Sequence, residues 1–180
     1  LLVFPLYDDA LSTRLTSGPL EPNASLQVLG DLAHALHALH RAGFLHLDIK
    51  PSNILLRQNR ASLGDFGAAA RAQVGEVGGT RPFVAPEIEA GQPPTAAADL
   101  FGLGMVMACA LGVSDPTAPL AALPMGPQRR ALEWLMRRLS HIDPEQRPTD
   151  LLGLRCQLLA AQALPVEESG ATTGQWQIAR

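Results

Sequence analysis

The chain has 180 residues, of which 47% are apolar, 17% charged and 4% aromatic. That is enough for one domain with a substantial core, and too apolar for disorder throughout. With 14 basic against 17 acidic residues, the net charge of −3 argues against a broad electrostatic footprint for nucleic acid.

Two cysteines, Cys109 and Cys156, make no disulfide framework. Their apolar, helical surroundings read as two small buried hydrophobes in a reducing compartment. The longest uncharged apolar run, Leu100 to Val113, is 14 residues. A membrane-spanning helix needs about 20, so this run reads as a buried core helix and no membrane partner is expected. No basic leader or cleavage pattern precedes it, which makes cytoplasm or nucleus the default location. The first residue is Leu1 rather than Met, so the chain is expected to be incomplete.

In chain order, LLVFPLY (1–7) reads as a strand ending near Pro5. Residues 8–16 read as a short helix capped by Asp8 or Asp9, and 17–23 as turn chemistry. A longer helix follows, capped by Asn23 or Ser25. It carries Leu29, Leu32, Leu36 and Leu39 at helical spacing and is stopped by Gly43. His34, His37 and His40 lie three apart on it. That spacing walks them around the cylinder, so they read as a solvated or supporting face rather than a zinc site.

From Phe44 to Glu87 short apolar runs alternate with Gly, Pro, Asn and Asp, which predicts a loop-rich region with two or three short strands. Residues 95–113 return to helix, apolar nearly all round and hence central. Prolines at 116, 119, 124 and 127 break a loop. Residues 128–140 are an amphipathic helix on Leu132, Leu135, Met136 and Leu139. Residues 149–164 are another, opened by Thr149 or Asp150. Trp134 is assigned to packing, and Trp176 to a frayed tail spanning 165–180.

The loop-rich region holds polar residues in order: His46-Leu47-Asp48-Ile49-Lys50-Pro51-Ser52-Asn53, then Asp65-Phe66-Gly67, then Gly79-Thr80, then Ala85-Pro86-Glu87. Phosphoryl transfer needs a carboxylate to orient and deprotonate a hydroxyl. It also needs a cation at the moving phosphate, and oxygen ligands for Mg²⁺. Asp48 can be the first, Lys50 the second, and Asn53 with Asp65 the third. Plainer roles exist for each: a loop-capping aspartate, a solvated lysine, turn formers. Their company in one short loop favours the chemistry. His46 reads as a packed core histidine rather than a base.

HLDIKPSN, LGDFG and GGTRPFVAPE resemble the catalytic loop, metal-binding loop and activation-segment end of the eukaryotic-type protein kinase fold. Three motifs in the right order carry far more than any one of them. DLFGLG (from Asp99) is similar to the start of the family's central helix. DPEQRPT is similar to the segment whose arginine, here Arg147, pairs with the glutamate of APE, here Glu87. LLVFPLYDDAL resembles the last strand of the N-lobe and the hinge.

The resemblance covers about residues 1–160. It implies an α+β, mainly helical, kinase-like fold: hinge and C-lobe over 1–164, with the N-lobe absent from this chain and a flexible tail over 165–180. It implies ATP held near Pro5, Leu6 and Tyr7, with Leu55 flooring the adenine. Lys50, Asn53 and Asp65 would lie on the phosphates, and Asn53 and Asp65 would bind Mg²⁺. Asp48, Lys50 and Thr80 are the implied catalytic set, Asp99 would tie down the loop backbone, and Glu87–Arg147 would be a buried pair. The lysine two residues after Asp48, and the Gly-Thr before APE, favour protein serine and threonine as acceptors. Some strings also resemble herpesvirus kinases and Wee/Myt kinases.

Departures from the family pattern are informative. The arginine that usually precedes the catalytic Asp, and receives an activation-loop phosphate, is Leu47 here. Between Gly67 and Ala85 the only hydroxyl is Thr80. Both absences imply activity that is not switched by phosphorylation of that loop. The Pro-rich stretch after the central helix leaves the usual docking helix reduced. A Gly-rich phosphate loop and a strand lysine are expected to be missing from this chain. Two rivals follow: a catalytically inactive pseudokinase or scaffold lobe, and a small-molecule phosphotransferase of kinase-like fold.

Overall fold

A computed structural model describes residues 7–58, 60–71 and 81–166. The expected strand therefore lies outside the described residues except for Tyr7, which is not in a strand. Strand β1 is Asp9–Ala10, directly followed by helix α1, Leu11–Thr16. Asp8 and Asp9 do not cap α1. The Asp8 amide donates to the Leu56 carbonyl (2.8 Å) and its carboxylate accepts from the Gln58 amide (2.9 Å), so sheet pairing has claimed this segment.

Helix α2 runs Pro22–Arg41. Pro22 fills its first position, where no amide is needed, and Glu21 precedes it without a side-chain cap. Neither Asn23 nor Ser25 caps: Asn23 instead accepts from Gln128 (2.8 Å), and Ser25 is wholly buried one turn inside the helix. Leu26, Leu29, Leu32 and Leu36 form the buried stripe, while Leu39 packs only partly buried. Full burial of a leucine is worth about 1.5–3 kcal/mol, so this stripe is a main source of stability. Gly43 ends the helix at φ 82°, a left-handed conformation that glycine adopts freely.

Four short strands occupy the loop-rich region: β2 (Phe44–Leu45), β3 (Ile54–Arg57), β4 (Arg60–Leu63) and β5 (Ala70–Arg71). One antiparallel sheet has the order β1-β3-β4, and β2 pairs with β5 in a second. Leu55 sits in the central strand, opposite Ala10 and Ser62.

A short helix α3, Pro86–Glu89, leads to α4, Ala96–Ala110, which is buried along almost its whole length. Helices α5 (Pro127–Leu139) and α6 (Leu151–Gln162) follow among the described residues. Asp150 caps α6 by accepting from the Leu152 amide (3.0 Å). α6 lies along α2, α4 crosses α5 and α2, and β4 rests on α2. The result is an α+β, mainly helical fold with small antiparallel sheets on one side. No helix among the described residues is long and apolar enough to cross a membrane.

Two expectations about packing need correction. Cys156 is exposed on the outer face of α6, beside Arg155 and Gln157, and only Cys109 is partly buried, where burial pushes its thiol pKa up. Trp134 is 52% exposed and so is not a core residue.

Glycines in α4 allow close approach. A Cβ on Gly104 would lie 2.8 Å from the Ser140 amide nitrogen and 2.9 Å from Leu139 Cβ. Helix propensity alone would favour alanine by about 1 kcal/mol. Backbone atoms cannot swing aside, so overpacking of about 1–3 kcal/mol outweighs it. Gly104→Ala is therefore expected to lower the melting temperature by a few degrees in a thermal melt; an unchanged or higher value would show that α4 and α5 separate easily.

Candidate active site

The site is built on the back of α4. A Cβ on Gly102 would lie 2.9 Å from Ile49 Cβ, so glycine there lets the 46–53 loop lie directly on the helix. Asp99, one turn earlier, is buried and faces the same loop. Its carboxylate accepts from the His46 amide (2.9 Å) and the Leu47 amide (2.7 Å), and pairs with His40 Nε2 (2.7 Å). Leu47 has φ 63°, which costs a non-glycine residue about 1–3 kcal/mol and persists where surroundings hold it. Asp99 supplies that hold.

His46 is fully buried. Its Nε2 lies 3.0 Å from the Gly64 carbonyl, an acceptor, and its Nδ1 lies 3.4 Å from the Asp48 amide, a donor. With the Asp48 amide donating to Nδ1, Nε2 is the ring nitrogen left to donate to the Gly64 carbonyl. The ring therefore ties the backbone at Asp48 to the residue just before Asp65. It also packs against Phe66, with ring centroids 5.1 Å apart.

Three of the expected side chains form one cluster. Lys50 Nζ lies 2.7 Å from Asp48 Oδ2, and Asn53 Nδ2 donates to the same oxygen (2.9 Å) and to the Asp48 carbonyl (2.9 Å). Asn53 is buried, in a single 3₁₀ turn, Pro51–Asn53, opened by Pro51. Its nitrogen is committed to Asp48, so its Oδ1 points the other way, with the Ser52 hydroxyl 3.4 Å off.

Asp65 is held beside this cluster. The Gly64 amide donates to the Asn53 carbonyl (2.8 Å). Asp65 itself is exposed at φ 51°, and its Oδ1 accepts from the Gly67 amide (3.2 Å). Gly64 also touches Leu55: a Cβ there would lie 3.0 Å from Leu55 Cδ1. Two hard oxygen donors, Asn53 Oδ1 and the Asp65 carboxylate, on adjoining backbone anchors are the donor chemistry Mg²⁺ selects, so the residues present fit that ion.

The other expected residues fall in two groups, those the structure describes and those it does not. Tyr7 is half-buried ahead of β1, whose register carries it toward the β3–β4 turn. Pro5, Leu6 and Thr80 lie outside the described residues. Glu87 and Arg147 form a buried pair, with Nη2–Oε2 at 2.8 Å. The role of His40 was not legible in the sequence. Its partner Asp99 is distant in the chain, and nothing in the three-residue histidine spacing points to it.

Residues 1–120 match the protein kinase domain family. This chain belongs to the protein kinase family. Over 100 residues the chain is 43% identical to serine/threonine-protein kinase PknK of Mycobacterium tuberculosis, covering 52% of this chain and 9% of PknK. Over 101 residues it is 39% identical to serine/threonine-protein kinase PkaA of Streptomyces coelicolor, covering 51% of this chain and 19% of the relative. Over 113 residues it is 38% identical to PkaB of the same organism, covering 54% and 27%. The chain thus spans less than a third of the length of these curated relatives.

Proposed function

We propose that this chain is the hinge and C-lobe of a protein serine/threonine kinase, and that it moves the γ-phosphoryl group of ATP to protein hydroxyls. The observation that carries the reading is the Asp48–Lys50–Asn53 cluster at 2.7–2.9 Å, fastened to the loop that bears Asp65. Asp48 orients the acceptor hydroxyl and takes its proton. Lys50 pairs with Asp48 before the reaction and offsets negative charge on the moving phosphoryl group during it. Asn53 braces Asp48 through its nitrogen and offers its oxygen, with Asp65, to Mg²⁺. When bound, that ion neutralises the phosphates and fixes their geometry. Tyr7 with Pro5 and Leu6 would meet the adenine, Leu55 would floor it, and Thr80 would complete the catalytic set. Leu47 offers no cation for an activation-loop phosphate, so the kinase is read as phosphorylation-independent at that loop.

The test uses the full-length protein with Mg²⁺ and γ-labelled ATP. Label is expected in acid-stable phosphoserine or phosphothreonine of a generic protein substrate, with none on aminoglycosides or choline. Label on the small molecules alone would support the small-molecule rival. Absence of transfer to either, with nucleotide still bound, would support the scaffold rival.

A further inference from the structure

Trp134 is the largest apolar side chain left half in water on α5, and its neighbours suggest why. Arg130, Arg137 and Arg138 recur at helical spacing beside it, and His141 follows just past the helix end, all exposed. With Trp134 and Glu133 they line a hollow of about 320 Å³. Ala131, Leu135, Ala160, Ala161 and Leu164, with the polar Gln157, line a second hollow of about 200 Å³ between α5 and α6. Trp134 lines both. It is the shared wall between a cationic slot and an aliphatic one.

Glu133 offsets only part of the positive charge of the first slot. Glu133 accepts from Arg129 Nε (2.9 Å) and from the Leu120 amide (2.8 Å), so it is turned to a cation outside the slot. Burial pushes its carboxyl pKa up, but those hydrogen bonds and the charges of Arg129 and Arg137 outweigh that and hold it below the usual range. Arg137 donates to the Thr117 carbonyl (3.1 Å), which fixes its direction without neutralising it. A chain of net charge −3 therefore carries a local patch of opposite sign.

We propose that this surface docks an acidic protein segment bearing an aliphatic anchor. The anchor seats in the α5–α6 slot against Trp134, and flanking carboxylates lie over Arg137 and Arg138. Charge complementarity selects an acidic partner and steers its approach. The adjoining aliphatic slot selects a peptide side chain over a sugar–phosphate backbone, which has nothing to place there. Tryptophan and arginine at one spot are also the residue types that dominate binding energy at protein interfaces. The surface is independent of the phosphoryl-transfer cluster and stands whether or not that reading holds.

The test is fluorescence anisotropy with the full-length protein. The probe is a fluorescein-labelled peptide of alternating glutamates around two leucines four apart. The wild type is expected to bind, more weakly as salt is raised. Arg137→Glu/Arg138→Glu, and separately Ala160→Glu, are expected to weaken binding at least about tenfold, as is replacing the probe's leucines by serine. Ala160 is exposed, so its variant fills the slot without touching the core. Melting temperature and phosphotransfer to a generic substrate should not move. Absence of probe binding to the wild type would overturn the proposal. Equal affinity for the serine peptide or for either variant would overturn it as well. So would displacement of the probe by phosphatidylserine vesicles or single-stranded RNA with greater affinity than by unlabelled peptide.

Discussion

Replacing Asp48 by asparagine is expected to lower kcat by about 10²–10⁴-fold, the usual worth of a positioned general base, while nucleotide affinity stays close to that of the wild type. The geometry makes this substitution clean. Asp48 Oδ2 receives Lys50 and the Asn53 amide nitrogen, and an asparagine carbonyl can receive the same two donors. The loop should keep its shape, because Asp99 and His46 hold it by its backbone. What is lost is the negative charge and the proton-accepting capacity. An interaction made only in the transition state lowers kcat and kcat/KM alike, so the two should fall together. Nucleotide binding, read by competition with a fluorescent ATP analogue, rests on other groups and should hold. If turnover survived, Asp48 would be a brace for Asn53 and nothing more. In that event Asp48→Ala should lower the melting temperature without a matching loss of rate.

Much of this arrangement was legible in the sequence. The leucine stripe of α2 and the apolar circumference of α4 each carry a period that one packing solution satisfies. The order Asp48, Lys50, Asn53, Asp65 sits in turn chemistry short enough to converge. Helix starts were read less well, because capping residues have other uses in a packed molecule. Asn23 serves Gln128, and Asp8 serves the β3–β4 turn, contacts that depend on distant parts of the chain. Pairing of His40 with Asp99 is invisible for the same reason. Trp134 shows a different limit. A tryptophan beside buried leucines looks like core, yet the helix turns it toward the outside, where three arginines share its face.

Arg147→Met is expected to cost about 3–5 kcal/mol, the penalty for removing one member of a buried ion pair. Arg147 is 2% and Glu87 7% exposed, so neither can turn to water. The guanidinium meets the Glu87 carboxylate through two nitrogens, Nη1 at 2.5 Å and Nη2 at 2.8 Å. It also donates to the carbonyls of His141 (2.8 Å), Ala97 (2.9 Å) and Ile142 (3.3 Å), and lies over the Phe101 ring. One side chain therefore joins α3, the start of α4 and the turn after α5. Methionine keeps much of the volume but takes the guanidinium away from a buried carboxylate and from three carbonyls. For a domain of this size, the loss corresponds to a fall in melting temperature of roughly 6–20 °C, a large share of a typical stability margin. Glu87→Gln should cost less, because an amide oxygen can still accept from Arg147 and the carbonyls keep their donor. Adding Glu87→Leu to Arg147→Met should recover part of the loss, since two apolar groups leave no unpaired charge. Recovery stays incomplete, because the three carbonyls still lack the guanidinium's hydrogen bonds. Thermal melts of the four proteins decide the matter. If Glu87→Gln were as damaging as Arg147→Met, the pair itself, rather than the guanidinium's hold on three backbone segments, would be what fastens the activation segment to the helical core.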